Sequence, residues 1–91
     1  MPSTSPGAWT EFSADLSKEA QDVFKNALYG IKGVSYVPIA VATQVVAGKN
    51  YKVFCNAKGA YRDAHTYPAM IHIYAPITGE PHITSIIPIN P

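Results

Sequence analysis

The side chains capable of chemistry are few, and their spacing joins none of them into a recognisable centre. His65, His72 and His82 are potential bases or ligands, yet no pair stands at a metal-like spacing with a cysteine or carboxylate. His72 falls in an alternating apolar segment, and the other two fall in turn-rich stretches where a solvent-facing histidine is the plain expectation. Cys55 is the single cysteine, and a catalytic thiol would need a histidine close in space. Its alternation with Tyr51 and Val53 is the pattern of a small buried hydrophobe. Asp15, Glu19, Asp22 and Asp63 form no recognisable catalytic pair, and no glycine-rich loop follows a strand to hold a phosphate. These groups point to no enzyme, metal or cofactor.

Binding chemistry is better represented. In Gln44-Val45-Val46-Ala47-Gly48-Lys49-Asn50-Tyr51 two valines run up to the edge of a turn, where polar residues are usual. Gly48 tolerates positive φ, and with Lys49-Asn50 it can make the reversal before Tyr51. One account is an ordinary hairpin whose valines finish a strand; the other is an apolar tip meant for a partner. Of the six tyrosines, Tyr61 and Tyr67 fall in a long loop and are the ones free to serve a partner. Trp9 has no place in the helix or strand patterns. It either covers an open end of the core or stands at an interface beside Gly7.

One helix and four strands must position these groups. Asp15 or Ser17 can cap a helix in which Leu16, Ala20, Val23, Phe24, Ala27, Leu28 and Ile31 share one face. Its length is roughly four turns, with Gly30 placed to end it and Ile31 to pack back over the last turn. Val34 to Val46 reads as a strand in which Pro38 demands an edge position, a bulge or a late start. Tyr51, Val53, Cys55 and Ala57 alternate with polar partners, and Gly59 to Pro68 reads as a loop. Ala69, Ile71, Ile73 and Ala75 then share a face, as do Ile83, Ser85, Ile87 and Ile89 after the turn-rich Pro76 to Pro81. Short connections favour an antiparallel meander, and one apolar helix stripe must cover one apolar sheet face. The predicted class is α+β.

Bulk properties narrow the partners. The 91 residues allow one domain, preceded by a flexible arm over residues 1–8 that is rich in Pro, Ser and Gly. A net charge of +1 with scattered Lys and Arg leaves no footprint for nucleic acid or an anionic membrane. A lone cysteine excludes an internal disulfide, and the first seven residues do not read as a secretory signal. The expectation is a cytoplasmic protein, with a processed secreted form left open.

Gln44 to Gly48 matches the Gln-x-Val-x-Gly motif of cystatins, and the longer run to Tyr51 resembles the stefin branch in particular. The motif lies between the first two strands after the helix, where cystatins carry it. The resemblance in element order extends from about Gly7 to Ile89. It implies a cystatin-like α+β fold in which a four- to five-stranded antiparallel sheet wraps one amphipathic helix. It also implies a reversible inhibitor of papain-type cysteine proteases, itself no enzyme and without a cofactor. The implied contacts are Gly7 and Ala8 of the arm, Gln44, Val45, Val46, Ala47 and Gly48 of the first hairpin, and Ala75, Pro76 and Ile77 of a second loop. Gly48 would let the inhibitor's backbone approach that of the protease.

This sequence departs from the pattern in two places. Pro6-Gly7-Ala8-Trp9 stands where stefins often carry Pro-Gly-Gly, and the second loop has neither Leu-Pro nor Pro-Trp. Within that loop Pro81-His82 is an alternative register. The implied state is a monomer whose long hairpin strands could exchange between protomers in a domain-swapped dimer. A binding module for a non-protease partner on the same fold is the alternative function.

Overall fold

The computed structural model describes residues 7–89. The helix α1 (Lys18–Leu28) is followed by β1 (Val34–Val46), β2 (Gly48–Gly59), β3 (Thr66–Ala75) and β4 (His82–Pro88). The strands form one antiparallel sheet in the order β1-β2-β3-β4, with the helix on one face. This is the α+β meander expected from the short connections.

Ser17 rather than Asp15 caps α1: its Oγ accepts the Ala20 amide at 3.1 Å, while the Asp15 amide turns back to Ser13 Oγ. The helix has 11 residues, about three turns instead of four. Gly30 does not supply the left-handed residue. Gly33, at φ 87°, does so three residues later and delivers the chain into β1. Ile31 donates its amide to Leu28 at 3.0 Å and stays 39% exposed. Ala20 and Phe24 are buried, and Leu16, Val23, Ala27 and Leu28 pack around them as the helical spacing requires.

The middle strands follow their period-two patterns. Tyr51, Val53, Cys55 and Ala57 of β2, with Ala69, Ile71 and Ile73 of β3, are each at most 2% exposed. Tyr67 and Pro68, expected in a loop, already belong to β3, opposite Ala57 and Asn56.

The outer strands carry irregularities. In β1 Pro38 faces Cys55 and Ala40 faces Phe54, leaving Ile39 as the extra residue of a bulge. Proline cannot donate to the ladder, so a bulge on the first strand of the sheet accommodates it. In β4 Ser85 faces His72 and Ile83 faces Ile73, so Thr84 is likewise extra. That insertion reverses the side-chain phase. Ile83 and Ile86 therefore pack on the core while Ile87 is 48% exposed, which corrects the expectation that Ile83, Ser85, Ile87 and Ile89 share a face.

The segment before the helix runs antiparallel along the free edge of β1. Trp9 bridges Gln44, Ser13 bridges Val41, and the Thr10 amide reaches Thr43 O at 2.8 Å. It shields the edge without becoming a continuous fifth strand. The arm expected to be flexible over residues 1–8 is thus tied down from Gly7; Met1 to Pro6 lie outside the described residues. Trp9 does not cover the core. Its ring lies over Lys52, whose ammonium is 4.2 Å from the ring centroid on the face opposite the helix.

Candidate binding edge at the hairpin end of the sheet

The β1–β2 ladder continues to the tip, pairing Gln44 with Asn50, Val45 with Lys49 and Val46 with Gly48. Ala47 alone makes the reversal. Lys49 and Asn50, expected in the turn, are paired residues of β2. Strand alternation carries Val45 and Val46 beyond the sheltered part of the sheet, and they remain 58% and 41% exposed.

Gly48 has φ 94°, and a Cβ there would lie 2.5 Å from Ala75 O, 2.9 Å from Tyr74 Oη and 3.1 Å from Pro76 Cα. Only a glycine accepts both that backbone and that proximity. Within the molecule, the backbone that approaches Gly48 is that of Ala75 and Pro76. Glycine seats the first hairpin directly against the β3–β4 loop. Tyr74 secures the contact by donating its hydroxyl to the Ala47 carbonyl, and its ring meets His82 edge-on at 5.7 Å.

The second loop therefore stands beside the first. Ala75 and Pro76 are half-buried against Gly48, and Ile77 projects at 80% exposure. Pro81 and His82, the alternative register, lead into β4, where His82 pairs with Tyr74.

The arm reaches the same end from the other side. Gly7 donates its amide to Val45 O at 3.1 Å, and Gln44 Nε2 donates to Gly7 O at 2.7 Å. Asn50 Nδ2 in turn donates to Gln44 Oε1 at 2.9 Å. Gly7 itself is exposed and Ala8 half-buried. All ten residues singled out from the sequence thus lie at one end of the sheet, with Gly7, Val45, Val46 and Ile77 offering the free surface.

Below the tip, Tyr51 donates its hydroxyl to Glu19 Oε2 at 3.2 Å and Lys49 approaches Glu19 Oε1 at 3.5 Å. Burial, and then the adjacent Glu19 carboxylate, push the Tyr51 phenol up to about 12. These contacts tie the base of the hairpin to the first turn of α1.

No family model, curated protein or solved structure matches the chain.

Cys55 and His72 are not among the residues of this edge. Cys55 is fully buried and its thiol is pushed up to about 11 by that burial, so its thiolate is scarce at neutral pH. His72 is held below its ordinary value by burial and by Lys52 beside it. No group of three or more His, Cys, Asp or Glu among the described residues could hold a metal ion. No helix among them is long and apolar enough to cross a membrane. A groove of about 590 Å³ between α1 and β1 is lined by Leu16, Phe24, Tyr36 and Pro38, near the far end of β1 from the tip.

Tyr74 and the Asn50–Gln44–Gly7 connection were invisible to sequence spacing. Tyr74 reads only as one more strand tyrosine. The partners of Gln44 are 37 and 6 positions away, so no local pattern exposes the pairing.

Proposed function

We propose that this chain is a reversible inhibitor of papain-type cysteine proteases, with a cystatin-like fold, that closes the enzyme's cleft with its hairpin edge. The observation that carries the reading is the convergence of Gly7, the exposed Val45-Val46 pair and the projecting Ile77 at one end of the sheet. Three segments distant in sequence form a narrow apolar rim in front of a rigid sheet, a shape suited to a preformed groove. The Gln44 to Tyr51 resemblance to stefins supports a papain-type protease as the groove's owner.

The magnitudes fit a composite wedge better than a single loop. Val45 and Val46 are already partly covered, so complete desolvation of each adds about 1–1.5 kcal/mol. A nanomolar complex requires about 12 kcal/mol net, after the cost of lost rigid-body freedom. The remainder must come from Ile77, the arm and backbone hydrogen bonds at the rim. Preassembly matters for the same reason, because a fixed edge loses little entropy on docking. The inhibitor supplies no group that bonds to the enzyme's thiolate, and it leaves the cleft uncut.

Val45→Asp and Val46→Asp are the cleanest probes, because both side chains are exposed in the free protein. Each is expected to raise the inhibition constant for papain at least tenfold, while unfolding stability falls by only about 1–2 kcal/mol. Inhibition that persists unchanged in both variants refutes the proposed edge. A parent chain that leaves several papain-type enzymes untouched at micromolar concentration refutes protease inhibition and favours a non-protease partner.

A further inference from the structure

We propose that Gln44 and Asn50 are positioning residues, which hold the N-terminal segment in register with the first hairpin so that the edge is assembled before any partner arrives. The protease as partner rests on the function proposed above, whereas the positioning itself rests on geometry alone.

Two donors and two acceptors fix the arrangement. The Gly7 carbonyl can only accept, so the Gln44 amide must present its Nε2 there, at 2.7 Å. Its Oε1 then faces Asn50, whose Nδ2 donates at 2.9 Å. Gln44 and Asn50 are directly opposed across the β1–β2 ladder, so the connection spans the neck of the hairpin and continues to the arm. The Gly7 amide completes a ring by donating back to Val45 O at 3.1 Å. Both polar atoms of the Gln44 amide thus have a partner inside the molecule, and the side chain is half-buried. Gln44 therefore works by aiming the chain at Gly7, where φ 84° bends the segment into the rim. This reassigns Gln44 from partner contact to internal alignment, and leaves contact to Gly7, Val45, Val46 and Ile77.

The Asn50 bond also sets which way round the Gln44 amide stands. With an aspartate at position 50, the Nε2 is drawn toward the carboxylate, and two oxygens then face each other at Gly7. Asn50→Asp should release the segment as effectively as removing the glutamine side chain.

The test uses the full chain and two independent readouts. Amide hydrogen exchange at Gly7 should rise about fivefold in both Gln44→Ala and Asn50→Asp, as expected for loss of one hydrogen bond, while the Ile71 and Ile73 amides are unchanged. An unmoved Gly7 amide overturns the proposal, whether or not the protein inhibits any protease. The second readout is a mutant cycle on papain inhibition between Gln44→Ala and Gly7→Val. Valine at φ 84° meets no neighbour but strains the backbone, so the segment leaves its lane. If Gln44 acts through that segment, Gln44→Ala weakens inhibition about fivefold in the parent and has no further effect beside Gly7→Val. An equal loss in both backgrounds means that Gln44 touches the protease directly and overturns the positioning role. If the parent does not inhibit, the protease reading fails and the exchange measurement alone decides the positioning.

Discussion

Replacing Gly48 by alanine perturbs two things at once, and the structure allows them to be separated. The added methyl carbon would stand 2.5 Å from Ala75 O, whereas ordinary contact begins at 3.4 Å, so the two loops must part by nearly an ångström. Ala75 is fixed in the ladder opposite Lys49 and cannot simply rotate away. Parting the loops also stretches the Tyr74 hydroxyl bond to Ala47, worth about 1 kcal/mol. The left-handed backbone at φ 94° adds about 1–2 kcal/mol for any residue with a Cβ. The sum is about 2–3 kcal/mol, or a fall of roughly 10–20 °C in Tm for a domain of this size. Gly33 supplies the control, because it has φ 87° but nothing within 4 Å of its would-be Cβ. Gly33→Ala should therefore cost only the backbone part, about 1–2 kcal/mol. Urea unfolding of both variants measures the difference, expected at about 1 kcal/mol or slightly more. If both alanines cost the same, the close seating of the two loops is wrong. By the same geometry Gly48→Arg disturbs the fold as well as any interface, so it is a poor test of function by itself.

Alkaline pH should destabilise the protein in two overlapping steps. Tyr51 and Cys55 both have folded values raised, to about 12 and about 11, above ordinary values of 10 and 9. Between the two values of each group the unfolded chain has lost a proton that the folded chain keeps. Stability contributed by these groups is therefore complete below pH 9 and declines as pH rises from 9 to 12, by up to about 1.4 kcal/mol per pH unit for each group. Cys55→Ala should remove the early part of that decline in urea titrations, and an unchanged profile contradicts the burial of the thiol. Along β4, Ile86→Ala should cost about 2 kcal/mol and Ile87→Ala less than about 1 kcal/mol. Equal or reversed values would place the Thr84 bulge elsewhere.

The middle of the sheet was legible in the sequence because its alternation is unbroken. Tyr51 to Ala57 and Ala69 to Ile73 place every second residue against the helix, and a period of two needs no further information. The last strand was misread because a single inserted residue, Thr84, reverses the phase after it, and a bulge leaves no compositional mark. The helix end was displaced for a related reason. Gly30 looked like a terminator, but Gly33 occupies the left-handed position, and local sequence does not choose between two nearby glycines. The hairpin motif was legible as residues, and the arrival of the β3–β4 loop at the same end of the sheet follows from the meander. What spacing could not supply was the internal use of the motif. Gly48 faces Ala75, and Gln44 faces Gly7, because tertiary contacts bring together segments tens of residues apart.

Titration of active-site-counted papain with the full chain, followed by mass analysis of the recovered inhibitor, tests the central claim most directly. The account predicts competitive loss of peptidase activity at one chain per enzyme, full recovery on dilution, and a chain released intact. Undiminished activity at micromolar chain, or progressive cleavage of the chain by the enzyme, would contradict it.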